Sequence, residues 1–159
     1  RPELLIDFSL KKKFGIFLQR CFNFKLNLFN PHESPWEGTR VAKKKDLKSI
    51  DFMRQKIKSK NLNYSFFRFD KEKSIELFDE GGWHFNNVMN PQEISLKLTT
   101  FAHSEFSDPK FSDVKIIQDK ISRQVDLFDR GHKYFKIEID KSFPQFIVNN
   151  KTLYQKWIL

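Results

Sequence analysis

Apolar and polar residues alternate through the early part of the chain. Between positions 14 and 30 one side of this alternation is apolar: Ile16, Leu18, Phe22, Phe24, Leu26 and Leu28. The other side is polar: Gln19, Asn23, Lys25 and Asn27. A period of two residues is typical of a β-strand with one buried face. The pattern therefore predicts an extended segment over 14–30, either as one strand or as two strands separated by a bulge near Arg20.

Apolar residues that recur every three or four positions predict helices elsewhere in the chain. The predicted helices span 2–13, 49–60, 91–103, 112–123 and 143 to about 150. The helix at 91 has a clear start signal, because Asn90 can cap it, Pro91 suits its first position and Glu93 can complete a capping box. We expect Ile50 to face inward from the helix at 49–60. We expect Ser112 to cap the helix at 112–123.

Shorter patterns complete the predicted fold. Alternating runs predict strands at 36–41 and 134–139, and residues 126–131 are expected to form a tight turn. Residues 64–69 can be either a strand or the lip of a groove. The sequence predicts a mixed α/β domain with a mixed sheet, flanking helices, at least three strands and at least four helices.

The composition restricts the class of protein and the kind of partner. A chain of 159 residues suits one domain, and its 19 Phe supply apolar material for a core. The single cysteine, Cys21, excludes an intramolecular disulfide framework and favours a reducing compartment. No apolar run approaches the roughly 20 residues needed to span a bilayer. We expect a cytoplasmic protein, with at most peripheral contact with a membrane surface.

The charge of the chain favours an anionic partner. Its 29 Lys and Arg exceed its 20 Asp and Glu, which gives a net charge of +9. Suitable partners are a nucleotide-sugar diphosphate, an acidic glycan, a nucleic acid or a lipid headgroup surface. The lysines are spread along the chain, with short runs at 11–13 and 43–45.

Residues that can do chemistry are concentrated between 79 and 105. Gly81 and Gly82 let the backbone approach a ligand closely or adopt a positive φ, and Trp83 offers a flat ring. The imidazoles and carboxylates of this stretch are Asp79, Glu80, His84, His103 and Glu105. Taken singly, each has an ordinary explanation as a turn, a core ring or a surface group.

Taken together, these residues follow the motifs of a known family. The chain contains Trp-x-Gly-Thr with a basic residue at 36–40, Gly-Gly-Trp-His-Phe at 81–85, His-x-Glu-Phe at 103–106 and Asp-Leu-Phe-x-Arg-Gly at 126–131. In this order the motifs resemble glycosyltransferase family 17, the family of β-1,4-mannosyl-glycoprotein N-acetylglucosaminyltransferase and its microbial relatives. The resemblance extends over nearly the whole chain.

The resemblance implies the C-terminal part of a GT-A type nucleotide-sugar transferase fold. The family transfers N-acetylglucosamine from UDP-GlcNAc to a glycan hydroxyl with inversion, and Mn²⁺ or Mg²⁺ is held by an Asp-x-Asp motif. This chain has no Asp-x-Asp. We therefore expect residues 1–159 to form a single domain that lacks an upstream nucleotide-binding half and is inactive in isolation.

The resemblance also suggests roles for individual residues. Glu105 is expected to be the general base, with Asp79 and Glu80 as alternatives, and His84 or His103 to be a metal ligand. Donor or acceptor contacts are expected from Gly81, Gly82, Trp83, Arg40, Asp126 and Arg130. Trp83, His84, His103 and Glu105 are expected to converge on one cleft, where Trp83 stacks on a sugar ring.

Three alternatives remain open. Arg130 can form an ordinary i,i+4 salt bridge with Asp126 instead of binding a ligand. Glu105 can hold the tautomer of His103 instead of acting as the base. The chain as a whole can be a nucleic-acid-binding module without catalysis, in which the aromatic and basic residues of 66–69 stack on bases.

Overall fold

The computed structural model describes residue 6, residues 8–100 and residues 107–159. These residues contain five strands and five α-helices, which confirms the predicted minimum of each. The strands are β1 (Phe14–Asn23), β2 (Leu28–Phe29), β3 (Trp36–Ala42), β4 (Ile75–Asn86) and β5 (Phe135–Lys136). The helices are α1 (Ile50–Lys56), α2 (Pro91–Thr100), α3 (Pro109–Ser112), α4 (Val114–Ser122) and α5 (Gln145–Asn149). The fold is mixed α/β with flanking helices, as predicted. The sequence predicted a mixed sheet, whereas the pairs β1–β2, β1–β3 and β2–β5 are all antiparallel.

The chain forms two compact units. Unit 1 comprises residues 1–20 and 35–84, and unit 2 comprises residues 21–34 and 85–159. The chain passes from one unit to the other three times: within β1, between residues 34 and 35, and within β4. None of the described helices is long and apolar enough to cross a membrane.

Unit 1 is organised by the pairing of β1 with β3. The two strands are antiparallel, with Phe14 opposite Ala42 and Gln19 opposite Trp36. The helix α1 begins where the sequence predicted it, and Ser49 caps it, because the Ser49 hydroxyl accepts a hydrogen bond from the backbone N–H of Phe52 at 3.0 Å. The buried core of the unit is formed by Phe14, Ile16, Met53, Ile57 and Ile75.

Unit 2 contains the end of β1, which turns back into β2 so that Phe22 lies opposite Phe29. The predicted segment 14–30 is therefore two strands, but the break lies at the turn after Asn23 and not at a bulge near Arg20. Phe24 adopts a positive φ of 66° in this turn. Asn27 fixes the turn to distant parts of the chain, because its amide donates to the carbonyl of Ile137 at 3.1 Å.

The helices of unit 2 pack around a second core. Its buried members are Phe24, Leu28, Ile94, Leu98, Ile117, Leu127 and Tyr134. The predicted capping box is confirmed: the Asn90 side chain accepts from the Glu93 N–H at 2.8 Å, and the Asn90 N–H donates to the Glu93 carboxylate at 3.0 Å. The last helix, α5, also lies where the sequence predicted it.

The predicted N-terminal helix is wrong where the structure describes it. Residues 8–13 are not helical, and residues 1–5 and 7 lie outside the described part of the chain. The backbone N–H of Lys11 donates to Glu76 at 2.9 Å, and that of Lys13 donates to the Ser74 hydroxyl at 3.2 Å. These bonds to the start of β4 replace the hydrogen bonds that a helix would make locally.

Four further expectations need correction. Ile50, which was expected to face inward, is 70% exposed. The cap of α4 is Asp113 and not Ser112, because the Asp113 carboxylate accepts from the N–H of Lys115 at 2.8 Å. The strand predicted at 134–139 is reduced to the two residues of β5. For residues 64–69 the strand alternative is wrong, because the segment contains turns, whereas Tyr64 and Phe69 line a depression, as the groove alternative expects.

Candidate functional site

The Gly-Gly-Trp-His motif lies inside β4, and its first glycine is packed against β1. A Cβ atom at Gly81 would lie 2.6 Å from the Cβ of Phe17 and 2.8 Å from its Cα. Gly82 adopts a positive φ of 141°. The two glycines therefore allow a close approach of two backbones and an unusual strand conformation. A ligand contact at Gly81 or Gly82 stays a prediction.

The imidazole of His84 stacks on the indole of Trp36. The two ring centroids are 4.6 Å apart and the ring planes differ by 15°. Trp36 opens β3 and remains 39% exposed, so part of its ring surface can contact a ligand. This contact joins two motifs that are far apart in the sequence, the Trp-x-Gly-Thr of 36–39 and the Gly-Gly-Trp-His of 81–84.

An open pocket of about 680 Å³ lies beside Trp36 in unit 1. Its volume falls within the roughly 300–1,000 Å³ typical of small-molecule sites. The lining residues are Pro35, Trp36, Glu37, Gly38, Arg40, Arg54, Gln55, Lys58 and Lys60. Four of these side chains are cationic and one is a carboxylate. We refer to this site as the cationic pocket.

Arg40 is held in a fixed position at the wall of the cationic pocket. Its Nε donates to the carbonyl of Ile57 at 3.0 Å, and its Nη1 donates to the carbonyl of Glu37 at 2.7 Å. Its Nη2 forms an ion pair with the Glu37 carboxylate at 3.1 Å. Glu37 also accepts from the N–H of Ser59 at 3.0 Å. Arg40 therefore connects β3 to the chain that follows α1. Both carboxylate oxygens of Glu37 already accept hydrogen bonds, one from Arg40 and one from Ser59.

The other cations of the pocket are available to a ligand. Arg54, Lys58 and Lys60 form no ion pair with any carboxylate in residues 6, 8–100 or 107–159. Since Glu37 compensates Arg40, these three side chains give the pocket its excess positive charge. The arrangement suits a compact anion such as a phosphate or diphosphate.

Asp126 and Arg130 lie in unit 2, where they form a structural ion pair. The Asp126 side chain is only 2% exposed and lies 2.5 Å from Arg130 Nη2. The same carboxylate accepts from the backbone N–H groups of Phe128 and Arg130, at 3.0 and 2.9 Å. A second carboxylate, Glu33, lies 2.9 Å from Arg130 Nη1. The salt-bridge alternative for Arg130 is therefore present in the structure.

The electrostatics of this pair follow from its burial. Burial raises the pKa of Asp126, but the hydrogen bonds from Arg130 and the positive charge of Arg130 outweigh this effect, so the pKa lies below its usual value. The hydrogen bond with Asp126 raises the pKa of Arg130. Burial, together with the negative charge of Asp126, raises the pKa of Tyr134. All three groups are thus held in their usual charge states at neutral pH.

The polar contacts around Arg130 extend through Glu33 to Cys21, the only cysteine of the sequence. Glu33 accepts from the amide of Asn30 at 3.1 Å, and its carboxylate lies 3.7 Å from the Cys21 sulfur. Burial and the neighbouring Glu33 raise the pKa of the Cys21 thiol to about 12. A thiol with such a pKa is a poor nucleophile at neutral pH, so Cys21 is a structural residue.

The remaining predicted site residues are only partly located. Asp79 and Glu80 are exposed residues of β4. His103 and Glu105 lie outside the described residues, so the predicted convergence with Trp83 and His84 stays a prediction. Within the described ranges, no group of three or more His, Cys, Asp or Glu side chains could hold a metal ion. The described residues alone therefore do not form the expected metal site.

Residues that the sequence interpretation did not select contribute to the cationic pocket. In the helix predicted at 49–60 the lysines, including Lys58 and Lys60, are expected to face solvent, and the sequence pattern gives Arg54 no role. A signal was present in the distribution of charge, because residues 43–73 contain eleven Lys or Arg and four Asp or Glu. This segment carries +7 of the net charge of +9, although the lysines themselves are spread along the chain.

Comparisons with protein-family models, with curated proteins and with solved structures found no match for this chain.

Proposed function

We propose that this chain is part of a glycosyltransferase that transfers a sugar from a nucleotide-sugar donor to a glycan hydroxyl with inversion. The observation that supports the proposal is the stack of Trp36 on His84. It brings together two motif segments of the resemblance at the edge of a pocket with excess positive charge. The most suitable donor on the basis of the resemblance is UDP-GlcNAc.

The cationic pocket would bind the anionic part of a substrate. Arg54, Lys58 and Lys60 supply charges that are not compensated by a carboxylate among the described residues. Positive charges at this position would stabilise the negative charge that develops on a departing diphosphate. The exposed surface of Trp36 would stack on a sugar or a base, whereas the sequence predicts stacking on a sugar ring for Trp83.

The reaction requires one base and one leaving group. A carboxylate takes the proton of the acceptor hydroxyl, whose oxygen forms the new bond to the anomeric carbon of the donor. The bond between that carbon and the diphosphate breaks, and the diphosphate leaves with the electron pair. Glu105 is our candidate for the base, with Asp79 and Glu80 as alternatives. Since the described residues do not form a metal site, we assign no step to Mn²⁺ or Mg²⁺.

A transfer assay tests the proposal directly. The protein is expressed from the complete coding sequence that contains this chain and is incubated with UDP-GlcNAc, an oligosaccharide acceptor and Mn²⁺. We expect release of UDP and a glycosylated product, whereas the 159-residue chain alone should be inactive. Absence of transfer with every nucleotide sugar tried, from a folded protein, would overturn the proposed function.

Two variants test the assigned residues. Replacing Arg54→Gln together with Lys58→Gln should raise the KM of the anionic substrate at least about tenfold, because two uncompensated charges are lost. The matched control is Lys115→Gln with Lys141→Gln, which removes two exposed charges from unit 2.

Glu105→Gln should lower kcat by at least about 10²-fold without changing donor binding. Near-normal turnover of that variant would eliminate Glu105 as the base.

A further inference from the structure

A turn in unit 1 exposes three phenylalanine rings to solvent. Phe66, Phe67 and Phe69 are 78%, 79% and 82% exposed. Isolated apolar side chains are common on protein surfaces, but a contiguous group of large rings marks an interaction site. We refer to these three residues as the phenylalanine cluster.

The phenylalanine cluster is ordered by contacts of its own. The ring of Phe66 meets those of Phe67 and Phe69 edge to face, at centroid distances of 6.2 and 6.3 Å. Between them, Arg68 forms two hydrogen bonds with Asp70, at 2.7 and 2.8 Å. The hydrogen bond from Arg68 lowers the pKa of Asp70. The charge of Arg68 is thus compensated within the turn, and the three rings form a compact apolar projection.

Lysines lie beside two of the three rings. Phe69 and Lys71 line a depression of about 610 Å³, in which the further cations Lys48, Lys56, Lys58 and Lys60 outnumber the two carboxylates, Asp70 and Glu72. The ammonium group of Lys73 lies 5.9 Å from the ring centroid of Phe66 and donates a hydrogen bond to the carbonyl of Ser65. The cluster therefore projects from the segment 43–73, which carries most of the net charge of the chain.

We propose that the phenylalanine cluster inserts into the interface of an anionic lipid bilayer while the neighbouring lysines contact the headgroups. Aromatic side chains that project beside lysines match the boundary between acyl chains and negatively charged headgroups. Charge complementarity identifies the surface as anionic, because neutral headgroups offer the lysines no net attraction. The proposal does not depend on the glycosyltransferase activity.

The geometry of the rings favours a membrane over a single-stranded nucleic acid. Binding of successive bases requires ring faces that are open and spaced along a groove. In the phenylalanine cluster the rings instead contact one another edge to face, at interplanar angles of 77° and 72°. Insertion into a bilayer requires only apolar surface and tolerates this arrangement.

Vesicle flotation with the 159-residue chain tests the proposal. Binding is measured to vesicles of phosphatidylcholine alone and to vesicles containing about one third phosphatidylserine. We expect binding to the anionic vesicles to be at least about tenfold stronger and to weaken at least about tenfold when NaCl rises from 0.1 to about 0.5 M. Equal binding to both kinds of vesicle, or no binding to either, would overturn the proposal.

Substitutions locate the contact. The triple change Phe66→Ser, Phe67→Ser and Phe69→Ser should reduce binding at least about tenfold with an unchanged circular dichroism spectrum, because the rings lie outside the core. The control Phe146→Ser with Leu153→Ser removes apolar side chains of unit 2 that are 63% and 69% exposed. Equal losses in both variants, or no loss in the triple variant, would contradict insertion of this cluster.

Two further measurements separate insertion from other kinds of binding. The variant Phe67→Trp places a reporter in the cluster, and we expect its emission to shift to the blue and to be quenched by lipids brominated on the acyl chains. An unshifted, unquenched emission on bound vesicles would contradict insertion. Binding to single-stranded DNA that is lost in the triple variant, without binding to anionic vesicles, would assign the cluster to nucleic acid instead.

Discussion

Unit 2 buries Asp126 almost completely and surrounds it with Arg130, Tyr134 and two backbone N–H groups. Unit 1 leaves Arg54 and Lys58 at the wall of an open pocket, where the described residues provide no carboxylate for them. Both regions contain charged residues, but the first uses its charges internally and the second presents them to solvent. The difference shows why the presence of an arginine in a motif does not identify a ligand contact.

The two arrangements have different energetic consequences. A buried carboxylate that loses its partners leaves uncompensated groups in a medium of low polarity, which is strongly destabilising. An exposed lysine that is replaced by a neutral residue changes the stability little. We therefore expect substitutions in unit 2 to affect folding and substitutions in the cationic pocket to affect binding. The predictions below test this distinction, from the largest expected change in the free energy of unfolding to the smallest.

The largest effect is expected for Asp126→Asn. The substitution removes one of the two carboxylates that pair with the Arg130 guanidinium. Breaking a buried pair destabilises by about 3–5 kcal/mol, and we expect the lower end, about 3 kcal/mol, because Arg130 is 42% exposed and keeps Glu33 as a partner. The matched control is Asp119→Asn, whose partner Arg123 is also four residues away but whose pair is exposed. We expect the control to lose at most about 0.5 kcal/mol. The measurement is the urea midpoint, followed by circular dichroism.

Cys21 provides a local readout of the same change. Its thiol is buried beside Glu33, so a thiol reagent reacts only after this part of unit 2 opens. A loss of about 3 kcal/mol corresponds to a labelling rate about 10²-fold higher in Asp126→Asn than in the wild type. An unchanged labelling rate would show that Asp126 does not stabilise the region around Cys21, and the comparison between the units would fail.

A smaller effect is expected for Gly81→Ala in unit 1. The new Cβ would meet the backbone and Cβ of Phe17 at 2.6–2.8 Å, and relieving such an overlap costs about 1–3 kcal/mol. Gly131→Ala is the control, because nothing lies within 4 Å of its added Cβ and only the positive φ of 77° opposes the substitution. The urea midpoints of the two variants separate steric from conformational strain. If Gly81→Ala is the milder change, packing of β4 on β1 does not stabilise unit 1.

The elements that the sequence predicted correctly depend on local signals. The capping box joins Asn90 and Glu93, which are only three positions apart, and the extended conformation of β1 needs only neighbouring residues. Ser49 at the start of α1 belongs to the same class. In each case the energetic preference is contained within a few consecutive residues, so a pattern is sufficient to detect it. The predicted division of β1 into a buried and an exposed face is wrong, because Asn23 on the polar side is only 3% exposed.

The elements that the sequence did not predict depend on distant partners. Lys11 and Lys13 are held by hydrogen bonds to residues more than 60 positions away, which prevent the helix that the local pattern favours. The close packing of Gly81 and the stack of Trp36 on His84 join segments in the same way. The motifs identified Trp36 and His84 as separate signals, but only the fold shows that they meet.

A third prediction concerns the pH dependence of unit 2. The folded-state pKa of Asp126 lies below its unfolded value of about 3.9, so its contribution to stability is complete above about pH 4 and is lost as the pH falls through the folded-state pKa. We expect the urea midpoint of the wild type to decrease between pH 6 and pH 3. Asp126→Asn lacks this titration and should decrease less over the same range. Parallel decreases would show that other carboxylates control acid unfolding.

The smallest effect on stability is expected for the paired change Arg54→Gln with Lys58→Gln. Neither side chain forms an ion pair with a described carboxylate, and surface substitutions of this kind usually change the free energy of unfolding by less than about 0.5 kcal/mol. A slight stabilisation is compatible with this range, because the change relieves repulsion among the pocket cations. The urea midpoint and the binding of inorganic pyrophosphate to the 159-residue chain are measured on the same samples. Weaker pyrophosphate binding at unchanged stability is the expected result. A clear loss of stability would instead show that these cations, like Arg130, serve the fold, and the distinction between the two units would no longer hold.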